Sequence, residues 1–158
     1  MLADRIVLIA SWATAACLLL FFTPRDKIRE AIVIFMFKHA VTWLFGIIVV
    51  ELKLIDYPVR EFAYAIRTSF AFEYFIYPAT CVAFVLHFPS GKPLPHKVGW
   101  YLIWPSCMTA VEMLIEKYTD LIEYIHWNGF YTWITLLLTF GLSHRFYMWF
   151  YKDKLGAK

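Results

Sequence analysis

Charge is scarce in this chain: Asp, Glu, Lys and Arg together make up 17% of 158 residues, against about 25% in a soluble domain. With only 6 glycines and 7 prolines, there is no material for a low-complexity or linker-like segment. The three cysteines, Cys17, Cys81 and Cys107, are widely spaced. An odd number at such spacing argues against a disulfide framework or a metal knuckle and favours small packing residues. Also missing are H-E-x-x-H, G-x-S-x-G and any glycine-rich phosphate loop, so nothing marks a zinc hydrolase, a serine hydrolase or a nucleotide enzyme. Ser106 has no evident base partner. No cofactor is expected.

Apolar residues fill the place of the missing charge. Hydrophobic residues reach 61%, aromatics 20%, and mean hydropathy is +0.60. That is too apolar for a soluble domain of roughly 45–50% apolar content, and it excludes disorder. At about 20 residues per spanning helix there is room for five spans and short loops. The expected fold class is all-α: one integral membrane domain over 1–158, a polytopic transmembrane helix bundle. A net charge of +3 is too small to indicate nucleic-acid binding.

The spans are expected near 6–22, 31–54, 69–88, 98–115 and 127–147. A signal peptide is the rival reading of the first, since Arg5 precedes an apolar run containing Ala13-Thr14-Ala15. The chain stays apolar from Leu18 to Phe22, however, so this is read as an uncleaved helix. Thr14-Ala15-Ala16-Cys17 also lacks the leucine of a lipoprotein signal. Pro78 and Pro105 are tolerated within spans because neighbouring helices can satisfy freed carbonyls. Pro89 to Pro95 reads as a turn. Segments 53–68 and 116–128 read as interfacial; Tyr118, Leu121, Ile122 and Ile125 fall at i, i+3, i+4 and i+7, which predicts an amphipathic surface helix.

Orientation follows from the basic residues. With the N-terminus outside, Arg25, Lys27, Arg29, Lys38, Lys92, Lys97, Arg145, Lys152, Lys154 and Lys158 lie inside, against Arg5, Lys53, Arg60, Arg67 and Lys117 outside. The expectation is N-out, C-in. The outer ends are then acidic: Glu51, Asp56, Glu61, Glu73, Glu112, Glu116, Asp120 and Glu123.

Ionisable groups within spans cost about 2.5–3.5 kcal/mol each at mid-helix, so they are the informative positions. Helical spacing gathers Glu73, Tyr77, Thr80, Phe84 and His87 on one face, Thr109, Glu112 and Glu116 on another, and Thr132, Thr135, Thr139 and Ser143 on a third. Lys38 and Thr42 align likewise. The candidate polar or ion site is Glu73, Glu112, Glu51, Glu116 and His126, near the outer surface. Arg60, Arg67 and Lys117 are candidate ion-pair partners that would make the acids a structural pin, the first reading; a cation, metal or proton site comes second, then a small-solute or headgroup pocket. The metal is left open. A candidate intramembrane polar path comprises Lys38, His39, Tyr77, Thr80, His87, Thr109, Thr135 and Thr139. Snorkelling of Lys38 and helix-packing hydroxyls are the simpler accounts of those positions.

Several stretches carry a family likeness: Trp43-Leu44-Phe45-Gly46 through Val49-Val50-Glu51, Asp56-Tyr57-Pro58-Val59-Arg60, Thr68-Ser69-Phe70 with Phe72-Glu73-Tyr74, and Tyr77-Pro78. Met108-Thr109, Glu112, Glu116-Lys117-Tyr118 and Tyr124-Ile125-His126-Trp127 continue it. From about Arg25 to the basic tail, the chain resembles an uncharacterised family of small polytopic membrane proteins of endospore-forming Firmicutes. The resemblance implies a bacterial cytoplasmic membrane and five spans, and no activity or catalytic residue.

The first functional expectation is a non-enzymatic structural, assembly or binding component of the bacterial envelope. The second is a small proton- or cation-linked transporter or channel, working as a homodimer, with an outward-facing acidic site. An intramembrane lipid-acting enzyme comes last. The expected partners are the lipid bilayer and a second copy or a membrane complex, with no nucleic acid.

Overall fold

Turn chemistry sets the helix ends. The computed structural model describes residues 2–152, Leu2 by its backbone only; Asp153, Lys154 and Lys158 lie outside the described residues. Helix α1 (Leu2–Phe22) ends before Pro24, and a 3-10 turn (Arg25–Lys27) leads into α2 (Ile28–Glu51). A π-helical turn (Ala71–Ile76) runs into α3 (Tyr77–Leu86). Pro93 precedes α4 (Leu94–Tyr118), and Asn128 precedes α5 (Gly129–Phe150). The Asn128 side-chain oxygen accepts from the Phe130 and Tyr131 amides at 3.0 and 3.2 Å, satisfying two donors that the first turn leaves open.

Three helical segments, Ala3–Phe22, Arg25–Glu51 and Leu94–Tyr118, are long and apolar enough to cross a membrane. Ala71–Leu86 is apolar but shorter, about 24 Å at 1.5 Å per residue. Helix α5 has the length, 22 residues, but its threonines, His144 and Arg145 make it more polar.

The short helix is the centre of the bundle. Every residue of α3 from Pro78 to Leu86 is buried, as expected of a helix apolar all round. Helices α1, α2 and α5 pack on it. From α4, Trp100 donates to the Phe84 carbonyl at 3.1 Å, and the Tyr101 ring meets Phe84 edge-on at 5.2 Å. Phe140 of α5 closes the other side at 5.0 Å.

Around this core the usual arrangement is inverted. Ile9, Phe21, Ile32, Met36, Leu44, Ile103, Leu138 and Trp149 are exposed, whereas Glu30, Lys38, Thr42, Glu73, Glu112, Thr132, Thr139 and Ser143 are buried. Apolar faces outward and polar side chains paired inward are what lipid, which offers no hydrogen bonds, requires. The chain has the build of a membrane protein.

One expected element is not formed. Segment 116–128 is not an amphipathic helix: α4 stops at Tyr118, and Glu123–Tyr124 (β2) pairs antiparallel with Ile55–Asp56 (β1), with Ile55 opposite Tyr124. The Leu54 carbonyl accepts from the Ile125 and His126 amides at 3.0 Å each, and Val59 donates to the Asp120 carbonyl at 2.9 Å. Leu121 and Ile122, adjacent in sequence, are both buried against Ile55, Tyr57, Phe72 and Ile115. Pairing with the α2–α3 connection gives these amides partners that a lone surface turn would lack. The paired loops fold as a cap over one end of the bundle.

The π turn has an identifiable cause. Within it Tyr77 donates to the Phe72 carbonyl, five residues back; the next such bond, to the Glu73 carbonyl, would need an N–H that Pro78 lacks. The Thr42 hydroxyl donates to that carbonyl instead, at 2.8 Å. His39 Nδ1 lies 3.4 Å from the neighbouring Tyr74 carbonyl. Replacing Thr42 with Val keeps the shape and orphans the Glu73 carbonyl. The expected loss is about 1–3 kcal/mol, read as a lower melting temperature in detergent.

Candidate functional site

The stripe Lys38, Thr42, Gly46 on α2, four residues apart, is buried along one face. It meets the π turn, α4, α5 and the loop cap around a cavity of about 70 Å³. Tyr57, Glu73, Tyr77, Glu112, Thr132, Thr135 and Thr139 line it together with Thr42 and Gly46. At about 30 Å³ per liquid water, it has room for about two waters or a small ion.

Glu112 is fully engaged. Its Oε2 accepts from the Tyr77 hydroxyl, while Oε1 accepts from Tyr124 at 2.6 Å and Thr132 at 2.7 Å. Thr132 in turn accepts from Trp127 Nε1 at 2.8 Å. Glu73 is loosely held: Oε1 accepts one long bond from Tyr57, at 3.3 Å. Its carboxyl group lies over Gly46, where an added Cβ would stand 2.5 Å from the carboxyl carbon. Gly46→Ala therefore displaces the Glu73 carboxylate without removing it. Helix propensity offers a gain of about 1 kcal/mol to offset the crowding. The expected result is a near-wild-type melting temperature with reduced proton flux in reconstituted vesicles.

Lys38 is the largest fully buried side chain, 0% exposed. Its Nζ donates to Thr139 Oγ1 at 2.6 Å and sits 4.6 Å above the Phe140 ring. It does not snorkel, because its stem points into the bundle.

Glu73 and Glu112, from different elements, thus share one cavity. Glu51 and His126 are exposed, Glu116 is half-buried, and none of the three lines it. The expected pin is not built: among the described residues no basic side chain forms an ion pair with Glu73 or Glu112. Arg60 donates instead to the Tyr57 and Ile66 carbonyls at 2.6 and 3.1 Å, holding the loop. Lys117 lies over the Tyr118 ring at 5.6 Å, and Arg67 is exposed. Among the described residues, no three His, Cys, Asp or Glu side chains gather as a metal site.

The polar path is only partly joined. Lys38, Tyr77, Thr135 and Thr139 border the acidic cavity or reach it through one bond. Thr80 bonds back to the Ile76 and Tyr77 carbonyls, and His87 Nδ1 lies 3.1 Å from Ala83 O at the exposed end of α3. The Thr109 hydroxyl is buried without a partner, away from the cavity. Ser106 accepts from Trp133 Nε1 at 3.0 Å.

Sequence reasoning missed Tyr57 and Tyr124, which the paired loops swing inward, and Glu30, which accepts from Tyr147 at 2.6 Å. Glu30 was findable: it continues the stripe of Lys38 and Thr42 by steps of four. Burial, and then the neighbouring carboxylates, raise both loop phenols: Glu73 and Glu112 act on Tyr57, Glu112 on Tyr124. A raised phenol stays protonated in the folded protein after its unfolded counterpart ionises near pH 10. Its stabilising contribution is intact below that pH and falls as pH rises beyond it. Melting temperature followed from pH 8 to 11 is expected to drop above pH 10, less steeply in Tyr57→Phe.

Comparison with protein-family models, curated proteins and solved structures gives no match.

Proposed function

We propose that this chain is a five-span protein of the bacterial cytoplasmic membrane, N-terminus outside, that carries protons across the membrane by way of the Glu73–Glu112 cavity. One observation carries the reading: two carboxylates from different elements share a small cavity with hydroxyl partners and, among the described residues, no paired cation. A site meant only to tie helices together has no need of the second, loosely bonded acid. The cavity's size fits a proton with water. Lys38, on Thr139 at the same cavity's wall, supplies a second ionisable group along the bundle. Ten of the fifteen basic residues at the inner ends support the orientation.

A structural role in an envelope assembly is the second reading, favoured by the saturation of Glu112 with three hydroxyl donors. The two separate in proteoliposomes carrying an internal pH dye, with a potassium diffusion potential imposed by valinomycin. Proton movement above that of empty vesicles is expected. Flux equal to empty vesicles at both polarities would exclude the transport reading and leave the structural one.

A further inference from the structure

Helices α1 and α2 are joined by a short turn, yet both lean on α3 and its π turn and barely meet each other. The gap between them is a groove of about 530 Å³. Its floor and walls are apolar, among them Leu20, Ile32, Phe35 and Phe75; its polar groups, Thr23 and Arg25, cluster at the end where the turn lies. That turn joins two helices long and apolar enough to cross a membrane, so it lies at the bilayer interface while the groove runs into the hydrocarbon. From Ile28 to Met36, both lining residues, the groove descends about 12 Å at 1.5 Å per residue.

Among the described residues, Arg25 is the one charged side chain that lines the groove. Arg25 is exposed and makes no hydrogen bond or ion pair among the described residues. Lys27 and Arg29 flank it in sequence. Of the two nearby acids, Glu30 is buried and accepts from Tyr147, and Asp26 does not line the groove. An apolar trough with a free guanidinium and a hydroxyl at its interfacial end matches an amphiphile with an anionic head. Guanidinium pairs well with phosphate oxygens.

We infer that the α1–α2 groove seats one anionic glycerophospholipid, its acyl chain against Ile32, Phe35 and Phe75 and its phosphate on Arg25 and Thr23. The inference is independent of proton handling at Glu73, because the two sites share no lining residue.

The test uses the full chain in mild detergent, offered equal phosphatidylglycerol and phosphatidylcholine, with retained lipid counted by native mass spectrometry. One retained phosphatidylglycerol is expected, preferred over phosphatidylcholine by about fivefold or more, the scale of one basic residue at an anionic surface. Arg25→Gln is expected to abolish the preference. Ile32→Trp, at an exposed position that fills the trough, is expected to displace both lipids. Arg145→Gln, an exposed cation at the end of another helix, is expected to change nothing. Equal retention of the two lipids by the wild type would overturn the inference, as would a loss in Arg145→Gln matching that in Arg25→Gln.

Discussion

Glu112→Ala is expected to lower the melting temperature in detergent by about 10 °C. The carboxylate holds three hydroxyls from three elements: Tyr77 at the start of α3, Tyr124 in the loop cap and Thr132 on α5. Alanine removes every acceptor at once. Each buried donor left unmade costs about 1–3 kcal/mol, so the loss comes to several kcal/mol. In a domain of this size each kcal/mol is worth about 2–4 °C. The cap is released as well, since Tyr124 stands in the only strand pairing among the described residues and Thr132 also anchors Trp127. Glu112→Gln keeps one carbonyl oxygen for Tyr124 and Thr132 and offers an amide to the Tyr77 oxygen, so its effect is far smaller. Tyr77→Phe and Tyr124→Phe each remove a donor and leave the carboxylate two partners, for about 1–2 kcal/mol apiece. Because all members share one carboxylate, their double variant is expected to be non-additive; strict additivity, or a harmless Glu112→Ala, would show that the hub holds nothing together.

Much of this hub was legible in the sequence, for a physical reason. Lipid offers no hydrogen bonds, so a polar residue in an apolar run must find a partner on another helix, and helical spacing says which residues face the same way. Lys38 with Thr42, Glu73 with Tyr77, and Thr132 with Thr135 and Thr139 follow from that rule alone. Where the rule does not reach, the reading was wrong. Neither arginine expected beside the acids pairs with them: a connection without regular structure must satisfy its own carbonyls, so Arg60 serves Tyr57 and Ile66, and Arg67 is exposed. Tyr57 and Tyr124 resemble any interfacial tyrosine until β1 and β2 pair and turn them inward. The apolar spacing of Tyr118, Leu121, Ile122 and Ile125 covers barely two turns, too few to separate a helix from a folded loop. Partnerships carried by secondary structure could be read in advance; those created when two loops meet could not.

Glu73→Gln is expected to reduce proton flux in proteoliposomes to the level of empty vesicles while leaving the melting temperature nearly unchanged. The two acids differ in how the fold holds them. Glu73 gives its carboxylate a single long bond from Tyr57, which an amide oxygen accepts equally well. Its more important structural contact, the carbonyl bonded by Thr42, belongs to the backbone and survives substitution. What glutamine cannot do is take up and release a proton. Lys38→Met extends the argument. Lys38 is fully buried and forms no ion pair among the described residues, so methionine, of similar volume, removes a buried charge together with its desolvation cost. Thr139, losing its partner, retains its own bond to the Leu136 carbonyl. Stability at or above wild type with flux abolished is therefore expected of Lys38→Met too. Such a pair of phenotypes separates a working site from a structural one, since a group kept for stability cannot be removed without loss. Were Glu73→Gln to transport normally, Glu73 would be excluded as the proton carrier. Were Glu73→Gln and Lys38→Met both to melt as early as Glu112→Ala, the whole cavity would be a tie between helices, and the assembly reading would take its place.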